Sequence, residues 1–514
     1  MANEIDADIT FRRLNTDVLL QVFEHLRPDR GLRSLSMSCR WIRQETAPVL
    51  FRSCLVIAER PICAERFLPP SLWPYVSHLS LRDDCPDMLA MKVRKRRLRF
   101  TDDPLLCGTM DPVFLNATLR AMPRLCSVNL AFHSREIHGM GWETLSAILS
   151  IPCLRSLTVE QFLFSPRRSP TDASLGSLAP LTTFRFEHRA IRRELRQYPL
   201  QQDALGLVIG RLQHTLENLL LPSEVTPFKS LAGTRWPQLK ELHLIGEFHP
   251  DPDFPVPFVT LFAGMPKLRV LKLELSLPIG IDKQVLQLWP KTYPAQFPWQ
   301  DLDNLTMSFP CCDDRIYSHL PQTMRHLSLR CTPHHCFTPW RRYYVHSPLL
   351  YASEMLEILS KVDTPNLEHL ELEYRADAAE DDLLLYISRK FLKLRSLEIH
   401  RFRSSGGNDI TITDIALRVA RLQDLLTLQA YLDTDITEGH PFPILRQNAT
   451  ILALILARPG LKLWLLQVGH QYDAKWYPFR LVAGRTIDME SQAEVDSSGS
   501  SPEGVSAYPY DDYL

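Results

Sequence analysis

The sequence predicts an α/β chain: a short unit of three helices at the front, then an irregular solenoid in which one strand per repeat stacks into a curved parallel sheet. Three observations predict it. An apolar stripe runs between Leu14 and Leu26, a Leu-x-x-Leu-x-Leu pattern returns along most of the chain, and a proline precedes several of its copies at a constant offset.

The helical unit comes first. Val18, Leu19, Val22, Phe23 and Leu26 fall at i, i+1, i+4, i+5 and i+8, one apolar stripe on a helix that Thr16 is placed to cap. Pro28 and Gly31 break it. Two shorter helices follow, the first carrying Leu32, Leu35 and Cys39, the second bracketed by Ile42, Leu50 and Phe51. A unit this small leaves a large share of its apolar surface exposed, so it needs a partner.

Together, Leu14 with Asp17, the Val22-Phe23 pair, Ser36-x-Ser38-Cys39-Arg40 and Ala47-Pro48-x-Leu50-Phe51-Arg52 resemble an F-box over residues 11–57. Asn15 and Asp17 stand where that family usually has Pro and Glu. The resemblance implies docking on a Skp adaptor, which bridges to a cullin scaffold, while the rest of the chain selects a protein substrate. Leu14, Val18, Leu19, Val22, Phe23, Leu26, Leu35 and Leu50 are the residues expected to carry adaptor docking or the packing that presents it.

After a linker expected at residues 58–75, the repeats begin. Copies read VSHLSL from Val76, LCSVNL from Leu125, LRSLTV from Leu154, LTTFRF from Leu181, LENLLL from Leu216 and LKELHL from Leu239. They continue as LRVLKL from Leu268, LDNLTM from Leu302, MRHLSL from Met324, LEHLEL from Leu367, LRSLEI from Leu394 and LLTLQA from Leu425. Their starts lie 22 to 49 residues apart, and most intervals fit one strand, one helix and two connections. Pro123, Pro152, Pro237, Pro266 and Pro365 each stand two residues before an opening Leu. Proline stops the preceding helix and hands the chain to a strand. Helices are predicted before such turns at Trp142–Leu149 and Leu205–Leu212.

The copies resemble leucine-rich repeats, which implies a solenoid over residues 76–486 whose polar strand residues face the concave side. Carried onto this chain, that face presents Arg185, His243, Lys272, His326, Arg330, Glu371, Glu373, Glu398 and His400 as candidate substrate contacts. Basic residues gather on the earlier copies and acids on the copies from Leu367 and Leu394, which suits a substrate with a basic segment at that end.

Loops between copies carry further features. Lys92–Arg99 is a dense basic run, read as a solvated charged face or a nuclear import signal. Residues 274–301 hold Trp289 and Trp299 among Pro278, Pro290, Pro294 and Pro298, read as a contact loop. Cys311, Cys312, His319, His326, Cys331, His334, His335 and Cys336 form the one dense histidine and cysteine cluster. Only Cys331 and His334 have the spacing of a zinc ligand pair, so no metal and no cofactor is expected.

Composition narrows the function class. The 514 residues are 45% hydrophobic with a net charge of -1, which gives no broad field for nucleic acid or anionic membranes. The polar, acidic start, the absence of a membrane-length apolar run and eleven cysteines without paired spacing predict a cytoplasmic or nuclear protein with reduced thiols. The sequons at Asn116, Asn304 and Asn448 are then chance matches. Nucleophile-elbow, phosphate-loop, dinucleotide and zinc-protease motifs are missing, so no catalysis is expected. Residues 1–10 read as a short tail, and 487–514, acidic and rich in Ser, Gly and Pro, as a disordered one. Two alternatives stay open: a leucine-rich scaffold that never meets a cullin, and an unrelated intracellular α/β enzyme.

Overall fold

The computed structural model describes residues 14–27, 31–87, 99–132 apart from 102 and 104, 138–164, 176–188, 200–248, 257–278, 286–332 apart from 295, 334, 345–346, 349–404, 410–433, 441–468 apart from 457 and 459, 474–482 and 485–488. It is a mixed α/β chain with a large, mostly parallel sheet. The residues sequence read as one solenoid divide into two compact units, the first ending at Ile191 and the second running from Arg192 to Val495.

In the first unit, α1 (Thr16–Leu26), α2 (Gly31–Ser36) and α3 (Arg40–Leu50) precede β1 (Ser53–Ala58). The cap of α1 is Asn15, not Thr16: its side chain accepts the Asp17 amide at 3.1 Å. Asn is among the strongest N-caps, which gives the residue that departs from the family pattern a local role. Cys39, assigned by sequence to α2, instead caps α3, its sulfur accepting the Ile42 amide at 3.5 Å.

Residues 53–57, which sequence grouped with the helices, form a strand. β1 runs parallel to β2 (His78–Asp83), with Val56 opposite Leu81. The stretch between them is not a bare linker either, because it folds as two short 3-10 turns, Ala64–Arg66 and Pro70–Tyr75, and the Ile62 amide is held by the Thr109 carbonyl at 2.9 Å. β3 (Ser127–Phe132), β5 (Ser156–Glu160) and β7 (Thr183–Glu187) add in parallel, each beside the one before. α4 (Pro112–Arg120) and α5 (Trp142–Leu149) pack on each other, and Leu145, Ile148 and Leu149 of α5 are buried as their spacing predicts. Two short strands, β4 (His138–Met140) and β6 (Phe162–Phe164), pair in a separate parallel ladder.

The second unit repeats the scheme. It begins with α6 (Leu200–Leu212), β8 (Asn218–Pro222), α7 (Phe228–Gly233), β9 (Glu241–Glu247), α8 (Phe258–Phe262), β10 (Val270–Pro278), β11 (Asn304–Met307) and β12 (His326–Leu329). The short strand β13 (Val345–His346) runs antiparallel to the end of β10, and β14 (Leu350–Tyr351) leads into α9 (Ala352–Lys361). β15 (His369–Arg375), α10 (Glu380–Lys390), β16 (Ser396–Phe402), α11 (Ile412–Val419), β17 (Thr427–Leu432), α12 (Pro441–Leu456) and β18 (Lys462–Val468) follow. Strands β8 to β12 and β15 to β18 pair parallel in that order, and β19 (Ala474–Val482) and β20 (Arg485–Asp488) close it antiparallel.

Every copy of the Leu-x-x-Leu-x-Leu pattern carries a strand, and the second and third Leu positions fill the core, as Leu242 and Leu244, Leu271 and Leu273, and Leu370 and Leu372 do. The opening Leu donates its amide three residues back, Leu125 to Met122, Leu154 to Ile151, Leu268 to Met265 and Leu367 to Thr364. Proline at the second position of that turn supplies the φ it needs, which accounts for the constant offset.

Residues 286–301 are no exposed contact loop. Trp289 and Trp299 are fully buried, Trp299 Nε1 donating to the Phe262 carbonyl at 3.0 Å and Trp289 Nε1 to that of Tyr293 at 3.1 Å. Aromatic side chains of that size gain strongly from burial when their indole N–H groups find an acceptor, so the loop folds inward. Asp314 anchors it by accepting the Leu288 and Trp289 amides at 2.6 and 3.0 Å. The basic residues 92–98, the 1–10 tail and residues 489–514 lie outside the described residues.

Candidate functional site

Two places bring the sequence-predicted site residues together, one in each unit. In the first, Leu19, Phe23, Leu32 and Val49 form the buried core of the three helices, with Leu20, Leu26, Leu35, Trp41 and Leu50 packed around it. Leu14 and Val18 stand outside that core, 41% and 44% exposed, and Val22 is half-buried. The apolar residues of α1, read from sequence as one stripe, are therefore two. Leu19, Phe23 and Leu26 face inward, while Val18 and Val22, four residues apart, lie along another line, and Leu14 is exposed ahead of the cap. Met37, just past α2, is 63% exposed. The unit is tied to β1 by Arg27 Nη2 donating to Ser53 Oγ at 3.0 Å and by an ion pair between Arg52 and Glu24.

In the second unit, register places His243, Lys272, Thr306, Ser328, Glu371, Glu398 and Gln429 opposite one another in a single cross-strand row. Alternation sends the leucines on either side to the core and this row to the other face. Arg330 sits over it. Its Nε lies 3.3 Å from Glu371 and its Nη1 3.4 Å from Glu398. Ser328 Oγ donates to Glu371 at 2.6 Å, and His326 Nε2 is 3.4 Å away. Burial works to raise the Glu371 carboxyl, but Arg330, His326 and Ser328 outweigh it and hold the group well below the usual carboxylate range. Next to it His243 lies 3.3 Å from Glu274, whose carboxyl, against the opposing effect of burial, is held at about 2 by that histidine with Arg330 and Lys272.

The acidic end expected to face a basic substrate is consumed internally. Glu373 is buried, accepting the Cys331 amide at 3.0 Å and facing His334 Nδ1 at 2.8 Å. Glu398 is buried against His400 Nε2 at 2.6 Å. His400, itself fully buried, stacks on His334 at 4.4 Å, with Trp476 of β19 edge-on at 5.8 Å. The physical reason is desolvation: bare carboxylates at that depth demand partners, and Arg330 and the histidines supply them. Burial also pushes the His334 pKa down, although Glu373 pulls the other way. What remains reachable on this face is His243, Lys272, His326, Arg330 and Glu371, all half-buried. Arg185, in the first unit, is exposed but occupied by Glu187 at 3.0 Å.

The histidine and cysteine cluster seen in sequence is split by the fold. Cys311 accepts from Gln287, Cys312 donates to the Glu354 carbonyl and His319 packs on Trp289, all away from Cys331 and His334. His335 and Cys336 lie outside the described residues. His334, Glu398 and His400 do bring ligating atoms within 4.8 Å of one another, a set that sequence spacing did not signal. A cation there would compete with Arg330 for Glu398, so the arrangement favours an ion-pair network.

No protein-family model matches the chain, and neither does any curated protein. Among solved structures, it is similar to a chain in the crystal structure of a TLR13–ssRNA13 complex, at 15% identity and a TM-score of 0.31. The match covers 74% of this chain and 56% of that one, so this chain spans just over half its length. At that score the likeness identifies neither fold nor family. Among the described residues no helix is long and apolar enough to cross a membrane.

Proposed function

We propose that this chain is the substrate-recruiting subunit of an SCF-type cullin ubiquitin ligase. Its three N-terminal helices form an F-box that docks on a Skp adaptor, and its strands form an irregular leucine-rich-repeat solenoid that holds a protein substrate. It performs no bond chemistry itself; its contribution is to hold the substrate near a conjugating enzyme supplied by the complex.

The observation that carries the reading is the second apolar line on α1. A four-residue core is already complete without Leu14 and Val18, yet both remain on the surface, as does Met37 just past α2. Apolar side chains outside a satisfied core are what an adaptor interface requires. The F-box resemblance of residues 11–57 names the partner. On the solenoid, the half-buried sheet face around His243, Lys272, His326 and Arg330 is where solvent still reaches the polar row, so the substrate contact is read there in place of the buried acids.

Titration of the full chain with a purified Skp adaptor tests the docking. Val18→Asp should weaken binding by roughly thirtyfold, the equivalent of about 2 kcal/mol for a hot-spot side chain. Phe23→Ala acts through the fold and should lose binding together with helical structure. Wild-type chain that fails to bind, or a Val18→Asp chain that binds undiminished, overturns the proposal.

A further inference from the structure

Four chemically apt side chains converge in the first unit, away from the helices and from the sheet face discussed above. Asp83 ends β2, Cys85 follows it by two residues, Cys107 lies in the turn ahead of α4, and His138 opens β4. Asp83 and His138 are 0% and 1% exposed, and Cys85 is 2% exposed. The ligating atoms of Cys85, Cys107 and His138 all lie within 4.8 Å of one another, and Asp83 Oδ2 is 2.8 Å from His138 Nδ1.

Backbone pairing sets this up. The Cys107 amide donates to the Gly139 carbonyl at 2.7 Å and the Gly139 amide to that of Leu105 at 2.7 Å, which seats Cys107 beside His138. The Cys85 amide donates to Asp83 Oδ1 at 2.9 Å and the Thr109 hydroxyl to the same oxygen at 3.2 Å, leaving Oδ2 turned to the histidine. The Thr109 amide donates to Cys107 Sγ at 3.4 Å, and the Thr109 hydroxyl lies 2.9 Å from the same sulfur.

The cluster is incomplete as protein alone. Asp83 Oδ2 and both ring nitrogens of His138 are buried with no hydrogen-bond partner, because the 2.8 Å approach lacks the alignment of an N–H···O bond. Such groups are costly to bury unsatisfied. The ring is also walled by Phe132 and Phe162, at 4.9 and 6.1 Å.

We propose that Asp83, Cys85, Cys107 and His138 bind one zinc-type divalent cation, which clamps the Cys107 turn and β4 to the end of β2. Two sulfurs, one imidazole and one carboxylate select a borderline-soft ion over calcium or magnesium. Tetrahedral bonds of about 2.0–2.3 Å put ligand atoms about 3.2–3.8 Å apart; Cys85, Cys107 and His138, within 4.8 Å of one another, close onto such an ion, while Asp83 Oδ2 and His138 Nδ1, at 2.8 Å, part slightly to join it. Binding forms two sulfur–metal bonds as both thiols give up their protons to solvent, and the divalent charge offsets two of the three negative charges then gathered there. The scattered spacing explains why no motif announces the site: Cys85, Cys107 and His138 belong to three different segments.

The test is the metal content of the full chain, purified without chelator from zinc-containing medium and measured by mass spectrometry of the element. One zinc per chain is expected, falling at least fivefold in a Cys85→Ser, Cys107→Ser double variant and unchanged in Cys331→Ser. Should the double variant not fold, zinc-edge X-ray absorption of the wild type decides: two sulfur neighbours at about 2.3 Å support the site. No zinc in the wild type, zinc retained by the double variant, a metal shell without sulfur, or a Cys85–Cys107 disulfide in the intact mass each overturns it. The outcome is independent of adaptor docking.

Discussion

Replacing Arg401 by Met should destabilise the end of the second unit more than any other single loss of charge on β16. Arg401 and Glu380 are 3% and 1% exposed, and the guanidinium meets the carboxylate through two bonds, Nε to Oε1 at 2.5 Å and Nη2 to Oε2 at 2.9 Å. Without Arg401, the Tyr374 hydroxyl at 3.3 Å is the one side-chain donor left among these contacts. Breaking such a pair strands a buried charge and costs about 3–5 kcal/mol, whereas removing both charges costs much less, because the desolvation penalty disappears with them. Arg401→Met should therefore lose about 3–5 kcal/mol, and adding Glu380→Gln should recover a large part of it. The assay is native-state hydrogen exchange read on peptides from α10 and β16, since a chain of two units has no single unfolding free energy. Additive losses, or an Arg401→Met loss under about 1 kcal/mol, would refute the reasoning.

Acid should loosen the sheet face of the second unit. Glu274 is held down from 4.5 to about 2, so its stabilising contribution is fully present above pH 4.5 and is lost as the pH falls towards 2. Acid titration of the exchange rates of β9 and β10 should show that loss, and Glu274→Gln should flatten it; identical pH profiles in both proteins would count against the His243–Glu274 pairing. Gly246 has a φ of +124°, and a Cβ there would run into the Glu224 carboxylate, whose Oε1 accepts the Glu247 amide at 2.7 Å. Gly246→Ala should cost more than about 1 kcal/mol in the same exchange measurement, and a neutral result would show that the strand can relax. Asn15→Ala should remove the α1 cap at a cost of about 1 kcal/mol to the helical unit, read by protease susceptibility at that end, while Thr16→Ala should not.

Strand positions were legible in the sequence because each repeat states them in leucines, and the core needs that alternation wherever one sheet face is buried. β1 and β18 escaped because their copies are spelt differently. Across from Leu79 and Leu81, β1 offers Cys54 and Val56, and the opening position is Phe51. β18 carries Leu463 and Leu465 but has Gly460 where the opening Leu belongs. Periodicity alone also cannot separate a buried loop from an exposed one, which is why Trp289 and Trp299 were misplaced. For the candidate site, sequence could list polar strand residues but not their occupancy: that Glu373 and Glu398 are claimed by His334, Arg330 and His400 depends on chain folding across β12, β15 and β16, which strand spacing does not encode. The two lines on α1 were hidden for a related reason. Val18 and Leu19 are neighbours in sequence but point about 100° apart on a helix.

Assembly with a cullin is the measurement that bears most directly on the proposed function. Full-length chain, a Leu14→Asp, Val18→Asp variant and buffer alone would each be mixed with Skp adaptor and cullin and resolved by size-exclusion chromatography. Wild type should co-elute with both partners, and the variant, with its circular dichroism unchanged, should elute alone. A wild-type chain that binds the adaptor without recruiting the cullin would mark a scaffold outside the ligase, and one that binds neither would contradict the F-box reading altogether.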